Sequence, residues 1–155
     1  LAGLQLGIRV AVSAVLAYAL ADLLRLTHPL YAFIAAVIVT DMSPLLSRRL
    51  GLTRLGATFA GAFTGAALSQ TLGPGLASLG IGVLAAMLAC QLLRLSEGAK
   101  VAGYICGLIL IDHRGEPWAY AFDRLLETAL GVTVAWCISA IPHLISLERR
   151  APGDP

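Results

Sequence analysis

The feature that most restricts this chain is a succession of six apolar runs separated by short polar turns, because such runs satisfy their backbone in lipid as helices packed among helices. Hydrophobic residues make up 58% of the 155 and charged residues 13%, against about 25% charge in an average soluble domain. The charges collect between the runs instead of alternating within them. An integral membrane protein is expected, with no room in these 155 residues for a separate soluble catalytic domain. The sequence holds no paired nucleophile and base, no phosphate loop and no metal-ligand cluster, so neither an enzyme nor a cofactor or metal is expected. It also lacks a basic block with interleaved aromatics, which argues against a nucleic-acid partner. Cys90, Cys106 and Cys137 sit in apolar surroundings and read as small buried side chains, not as a disulfide framework.

The first run, IRVAVSAVLAYALADLLR at 8 to 25, has no clear basic leader and reads as a retained spanning helix, not a cleaved signal peptide. Thr27, His28 and Pro29 end this run, and Pro29 equally suits the first turn of the second, 29 to 42. About 14 residues rise only roughly 21 Å, short of the about 30 Å of hydrocarbon in a bilayer. This run must borrow residues 43 to 46, meet a thinned membrane or be buried in protein. A short basic turn with Arg48, Arg49 and Arg54 follows, and the third run, 50 to 72, carries Ala57, Gly61, Gly65 and Ser69 at intervals of four. That row is a seam for the close approach of another helix. Gly73, Pro74 and Gly75 turn the chain into a fourth run, 76 to 95. The fifth, VAGYICGLILID, is short like the second and likewise ends in an aspartate; the sixth runs from 118 to 141.

The second half restates the first. AAVIVTD at 35 to 41 lies over CGLILID at 106 to 112, a shift of 71, and RLGATFAG at 54 to 61 lies over RLLETALG at 124 to 131, a shift of 70. Three spans per copy reverse the second copy relative to the membrane. The expected fold is thus an all-α polytopic membrane protein of six transmembrane helices, built as two inverted three-helix repeats over residues 1–72 and 73–147, with a polar tail at 148–155. The short second and fifth spans correspond, which points to a central permeation or binding site between the copies. With the N-terminus inside, Arg9, Arg48, Arg49, Arg54, Arg94, Lys100, Arg149 and Arg150 fall on the inner side and Arg25, Arg114 and Arg124 on the outer. Eight against three favours both termini in the cytoplasm.

The stretch HPLYAFIAAVIVTD, then Ser43, then RRLGLTRLGATFAG resembles the first-half signature of the fusaric acid resistance and aromatic acid exporter superfamily, to which plant aluminium-activated malate channels also look related. WAYAFDRLLETALGVTVAW resembles the closing segment of its small bacterial members, and the likeness covers residues 5 to 145. The resemblance implies a six-helix unit of the cell inner membrane that pairs with another and moves small organic anions. Many members carry a large cytosolic domain, whereas this sequence ends soon after one unit, so self-association is expected. A non-catalytic place among foreign membrane subunits is the alternative.

Five residues stand out as candidates for a substrate path. Asp41 and Asp112 are the mirrored acids, read either as ends of broken helices beside a path or as carboxylates resting in the interface. Arg54 and Arg124 are the mirrored bases, which either snorkel to their interfaces or face inward and lower the energy of an entering carboxylate. Glu127, three residues after Arg124 on nearly the same face, is expected to pair with it. Trp118 and Tyr120 suit the aromatic girdle at the membrane surface, and Tyr31 and Tyr104 suit ordinary packing.

Overall fold

The computed structural model describes residues 2–73, 75–112 and 115–141. They form six helices, α1 (Ala2–Leu23), α2 (Pro29–Val39), α3 (Pro44–Thr71), α4 (Leu76–Leu92), α5 (Ala99–Asp112) and α6 (Pro117–Ala140), with one 3-10 turn at Ser96–Gly98 before α5. Proline opens α2, α3 and α6 at the first turn, where its missing N–H costs nothing. The basic residues Arg48, Arg49 and Arg54 are not in a turn but within α3, which starts at Pro44 and runs 28 residues. Nothing between Pro44 and Gly51 breaks a helix, and the chain reverses earlier, around Asp41.

The helix α2 is shorter than expected, 11 residues or about 16 Å. Residues 44 to 46 belong to α3 and do not extend it. Its Ala32, Ala35, Ala36 and Val39 are buried, so protein, not lipid, surrounds one side of it. Among the described residues only Gly3–Leu23 is both long and apolar enough to cross a bilayer by itself. The longer α3 and α6 carry buried polar groups that need neighbours.

Two lobes divide the core. In one, Ala17 and Ala21 of α1 and Ala32 and Ala36 of α2 pack against Val134 and Ile138 of α6. In the other, Ala57 and Ala60 of α3 pack with Ala86 and Cys90 of α4 and Ala99, Ala102, Cys106 and Leu110 of α5. Each lobe therefore joins the first two helices of one half to the third helix of the other. The third helices cross between the lobes and run antiparallel: Gly51 lies against Val132 and Trp136, while Ala62 and Ala66 cluster with Tyr120 and Ala121.

Small residues make these contacts possible. The Cα of Gly61 sits against the backbone of Ala102, and that of Gly131 against the backbone of Ala32, leaving no space for a Cβ at either. Both pairs are related by a shift of 70, from 61 to 131 and from 32 to 102, one less than the 71 by which AAVIVTD of α2 lies over CGLILID of α5. Alanine fills the interior while Leu76, Leu92 and Leu45 stand 89%, 86% and 81% exposed, the inside-out distribution of a bundle held by backbone proximity in an apolar solvent.

The helices α1 and α4 end in the same way. Leu26 N–H donates to Ala21 O (3.0 Å) and Leu95 N–H to Cys90 O (2.8 Å), with matching bonds from Leu24 to Leu20 and from Leu93 to Ala89. Arg25 and Arg94 occupy the left-handed position of these two caps, with φ of 53° and 57°.

Candidate functional site

Side chains from α2 and α6 build the most deeply buried charge. Arg124 is 1% exposed and Glu127 fully buried, and the two form an ion pair along one face of α6. Glu127 Oε1 also accepts the backbone N–H of His28 at 2.6 Å, with His28 Nδ1 at 3.8 Å. His28 precedes Pro29, so its amide belongs to the open N-terminal end of α2, and the carboxylate on α6 caps that end across the helix boundary. The Arg124 guanidinium lies over Tyr31, 3.0 Å from the ring centroid, and 4.9 Å from that of Tyr120. One turn away, Thr27 donates to Asp123 Oδ2 at 2.7 Å. Cation, carboxylates and aromatic faces thus close the join between the α1–α2 turn and α6.

Arg54 holds the corresponding place on α3. It is 5% exposed, donates from Nη2 to the Tyr104 hydroxyl at 2.6 Å, and lies 5.6 Å from that ring's centroid. Three residues on, where α6 has Glu127, α3 has Ala57, whose methyl abuts Gly98. Among the described residues no carboxylate comes within ion-pair distance of Arg54, and its Nε has no hydrogen-bond partner. Both mirrored arginines are buried against aromatic rings instead of snorkelling outward.

A hydroxyl network occupies the opposite end of the first lobe. Thr40 Oγ1 lies 2.8 Å from Ser13 Oγ and donates to Ala36 O at 2.7 Å, while Ser139 donates to Ser47 Oγ at 3.1 Å. Arg9 donates to the carbonyls of Ser139 (3.3 Å) and Ile141 (2.9 Å), satisfying the C-terminal end of α6. Asp41 belongs here and not with the arginines: its N–H donates to Ser139 Oγ at 3.3 Å and its Oδ1 accepts from Ser43 N–H at 2.9 Å. That carboxylate shapes the turn into α3.

Asp112 is the last residue of α5, and its side chain, like His113, lies outside the described residues. Two expectations are corrected. Tyr120 is 4% exposed and stacks inward toward Arg124, leaving Trp118, 46% exposed, as the outward ring; Cys137 is exposed on α6. Tyr120, four residues before Arg124, points the same way from the helix as Arg124 itself, so it follows the arginine inward, not the girdle. No cluster of metal-ligand side chains exists among the described residues.

The sequence reading missed Asp123, Thr27, His28 and the structural pairing of each arginine with a tyrosine. The available signal was LLRLT at 23 to 27, which returns as LLRLS at 92 to 96, a shift of 69. It marks the two turns against which α6 and α3 lay their polar residues.

Residues 5–141 match the family described as aromatic acid exporter family member 1. No curated protein and no solved structure matches the chain.

Proposed function

The chain belongs to the aromatic acid exporter family, and we propose that it is a membrane subunit of a transporter or channel for small organic anions, aromatic carboxylates among them. Membership places it in the membrane and in transport. The finer reading rests chiefly on Arg54, a buried cation with no carboxylate within ion-pair distance among the described residues. An uncompensated charge away from water is expensive, and a passing carboxylate would complete it with charge-assisted hydrogen bonds.

In this reading residues 1–72 and 73–147 are inverted copies in the inner membrane, with both termini cytoplasmic. The paired contacts Gly61 with Ala102 and Gly131 with Ala32, and the twin caps at Arg25 and Arg94, support the duplication. The backbone-tight seams at those glycines close the middle of a single copy, which favours self-association around a path beside Arg54. The same closure is what a non-catalytic subunit among foreign membrane helices would show, and it keeps that second reading in play.

Flux into vesicles reconstituted with purified protein tests the choice. The parent protein is expected to move benzoate in preference to a neutral aromatic, and Arg54→Gln to lower that flux about tenfold or more, the equivalent of losing one charged hydrogen bond of about 1.5 to 3 kcal/mol, with assembly intact. A folded parent that moves neither benzoate, malate nor chloride would transfer the weight to the structural-subunit reading.

A further inference from the structure

The two turns that follow α1 and α4 are built alike, yet what faces them differs. At the first, the Thr27 hydroxyl is occupied by the carboxylate of Asp123 on α6. The counterpart of Thr27 at a shift of 69 is Ser96, and the counterpart of Asp123 at a shift of 70 is Thr53 on α3. Two hydroxyl residues therefore stand where the other half has a hydroxyl and a carboxylate. Between them a pocket of ≈ 130 Å³ opens, lined by Arg49, Thr53, Arg94, Leu95, Ser96 and Glu97.

The lining is suited to an anion. The left-handed cap, φ 57°, sets the backbone of Arg94, an exposed residue that lines the pocket. Arg49 is engaged by Glu97 at 3.0 Å, but the two side chains are 70% and 57% exposed, so this ion pair exchanges readily with a competing charge. Arg48 and Lys100 flank it in sequence, giving four cations to one carboxylate around this end of the molecule. Thr53 leads directly to Arg54, the buried cation that has no ion-pair partner among the described residues.

We propose that this pocket binds the carboxylate of a small organic acid, with the Thr53 and Ser96 hydroxyls as donors and Arg49 and Arg94 as counter-charge. The bound carboxylate is the equivalent of the Asp123 side chain in the other half. The proposal rests on the transport reading and adds to it the place where the anion is collected before it meets Arg54. It also gives the route a direction. The turn at Ser96 faces no acid on α3, whereas the turn at Thr27 is closed by Asp123 and Glu127 on α6, so an anion is attracted at one end and has internal competitors at the other.

Benzoate titrated into the full chain in lipid nanodiscs, followed calorimetrically, separates this site from Arg54. Thr53→Asp, which supplies the internal carboxylate, is expected to weaken benzoate binding at least tenfold, and Ser96→Ala about threefold to tenfold. Arg54→Gln is expected to change it less than threefold even where it stops flux. Size-exclusion profile and thermal midpoint report whether each variant is folded, and Ser96→Ala, on an exposed position, carries the test if Thr53→Asp does not assemble. Binding unchanged within twofold in the folded pocket variants overturns the proposal. So does a titration in which inorganic phosphate or phosphatidylglycerol, and not benzoate, is what the pocket variants lose, since the site would then hold a phosphate headgroup. Benzoate flux unchanged in Arg54→Gln, with pocket binding intact, counts against the Arg54 reading alone.

Discussion

Arg124 and Arg54 occupy the same place on two crossed helices, and each rests against a tyrosine, but their surroundings carry opposite charge balances. Around Arg124 the chain supplies Glu127 and Asp123, and those carboxylates are themselves held by the His28 amide and the Thr27 hydroxyl. Around Arg54 the same positions are Ala57 and Thr53, and the nearest polar partner is the hydroxyl of Tyr104. One region pairs its cation with a carboxylate that fastens α6 to the start of α2, although Arg124 Nε and Nη1, like Arg54 Nε, make no hydrogen bond. The other has the cation and the shape but not the anion. If the two halves are copies, as proposed, they differ in the acids that face their third helices.

The comparison is sharpest where a change makes one region resemble the other. Glu127→Ala imposes the Arg54 arrangement on α6 and leaves both Arg124 and the His28 amide without their partner. It is expected to destabilise the protein by about 3 to 5 kcal/mol, read as a lowered thermal midpoint and folded yield in detergent. The double substitution Arg124→Met with Glu127→Leu should recover most of that loss, because apolar replacement of a buried pair is often neutral. If Glu127→Ala alone costs nothing, the two regions are not energetically distinct.

A smaller effect tests whether the backbones correspond as closely as the glycines suggest. Gly61→Leu and Gly131→Leu each force a side chain into the main chain of a partner helix, at Ala102 and Ala32. Losses of about 1 to 3 kcal/mol, alike for the two within the error of thermal unfolding, are the expected outcome. Strong inequality between them would separate the seams.

Tyr104→Phe removes only the hydroxyl that Arg54 donates to. The expected cost is about 0.5 to 1.5 kcal/mol in stability, together with a severalfold change in benzoate flux, measured on the same preparation. A stability change without a flux change would make Tyr104 a packing partner only.

The least perturbing test concerns orientation. Asp22 and Gln91 are exposed counterparts at a shift of 69, each at the end of a duplicated cap. With the native cysteines replaced by serine, Asp22→Cys should react with an impermeant thiol reagent added outside intact cells, and Gln91→Cys only after permeabilisation. Labelling of both from the same side would end the inverted relation between the halves.

Six helices, the small-residue seam on the third and the mirrored arginines were all legible from spacing, since a period near four and a stop at Pro or Gly are local properties. The start of α3 was not, because a cluster of arginines reads as a surface turn until Pro44 is seen to open a helix that contains them. Nor was the role of Asp41, whose bond to Ser43 is local, but whose separation from the arginines is set by which ends of which helices meet. The second caps lay hidden behind a register change: LLRL repeats at 69, the helix motifs at 70 and 71, with the 3-10 turn Ser96–Gly98 lying between the differing registers. Partners such as Thr27 with Asp123, 96 residues apart, depend on the exchange of third helices between lobes, which no local pattern encodes.

That exchange also sets the order in which the protein can be completed during synthesis. The alanine faces of α1 and α2 wait for α6, whose first residue follows the last of α2 by 78 positions, an interval on the order of 4 to 16 s at about 5 to 20 residues per second. The lobe of α3, α4 and α5 closes earlier, from consecutive segments. Of these six helices α1 and α2 are thus made before the others and sealed last, and until α6 arrives their small-residue surfaces and the bare amide end of α2 are open to the machinery that inserts, guards or degrades nascent membrane proteins.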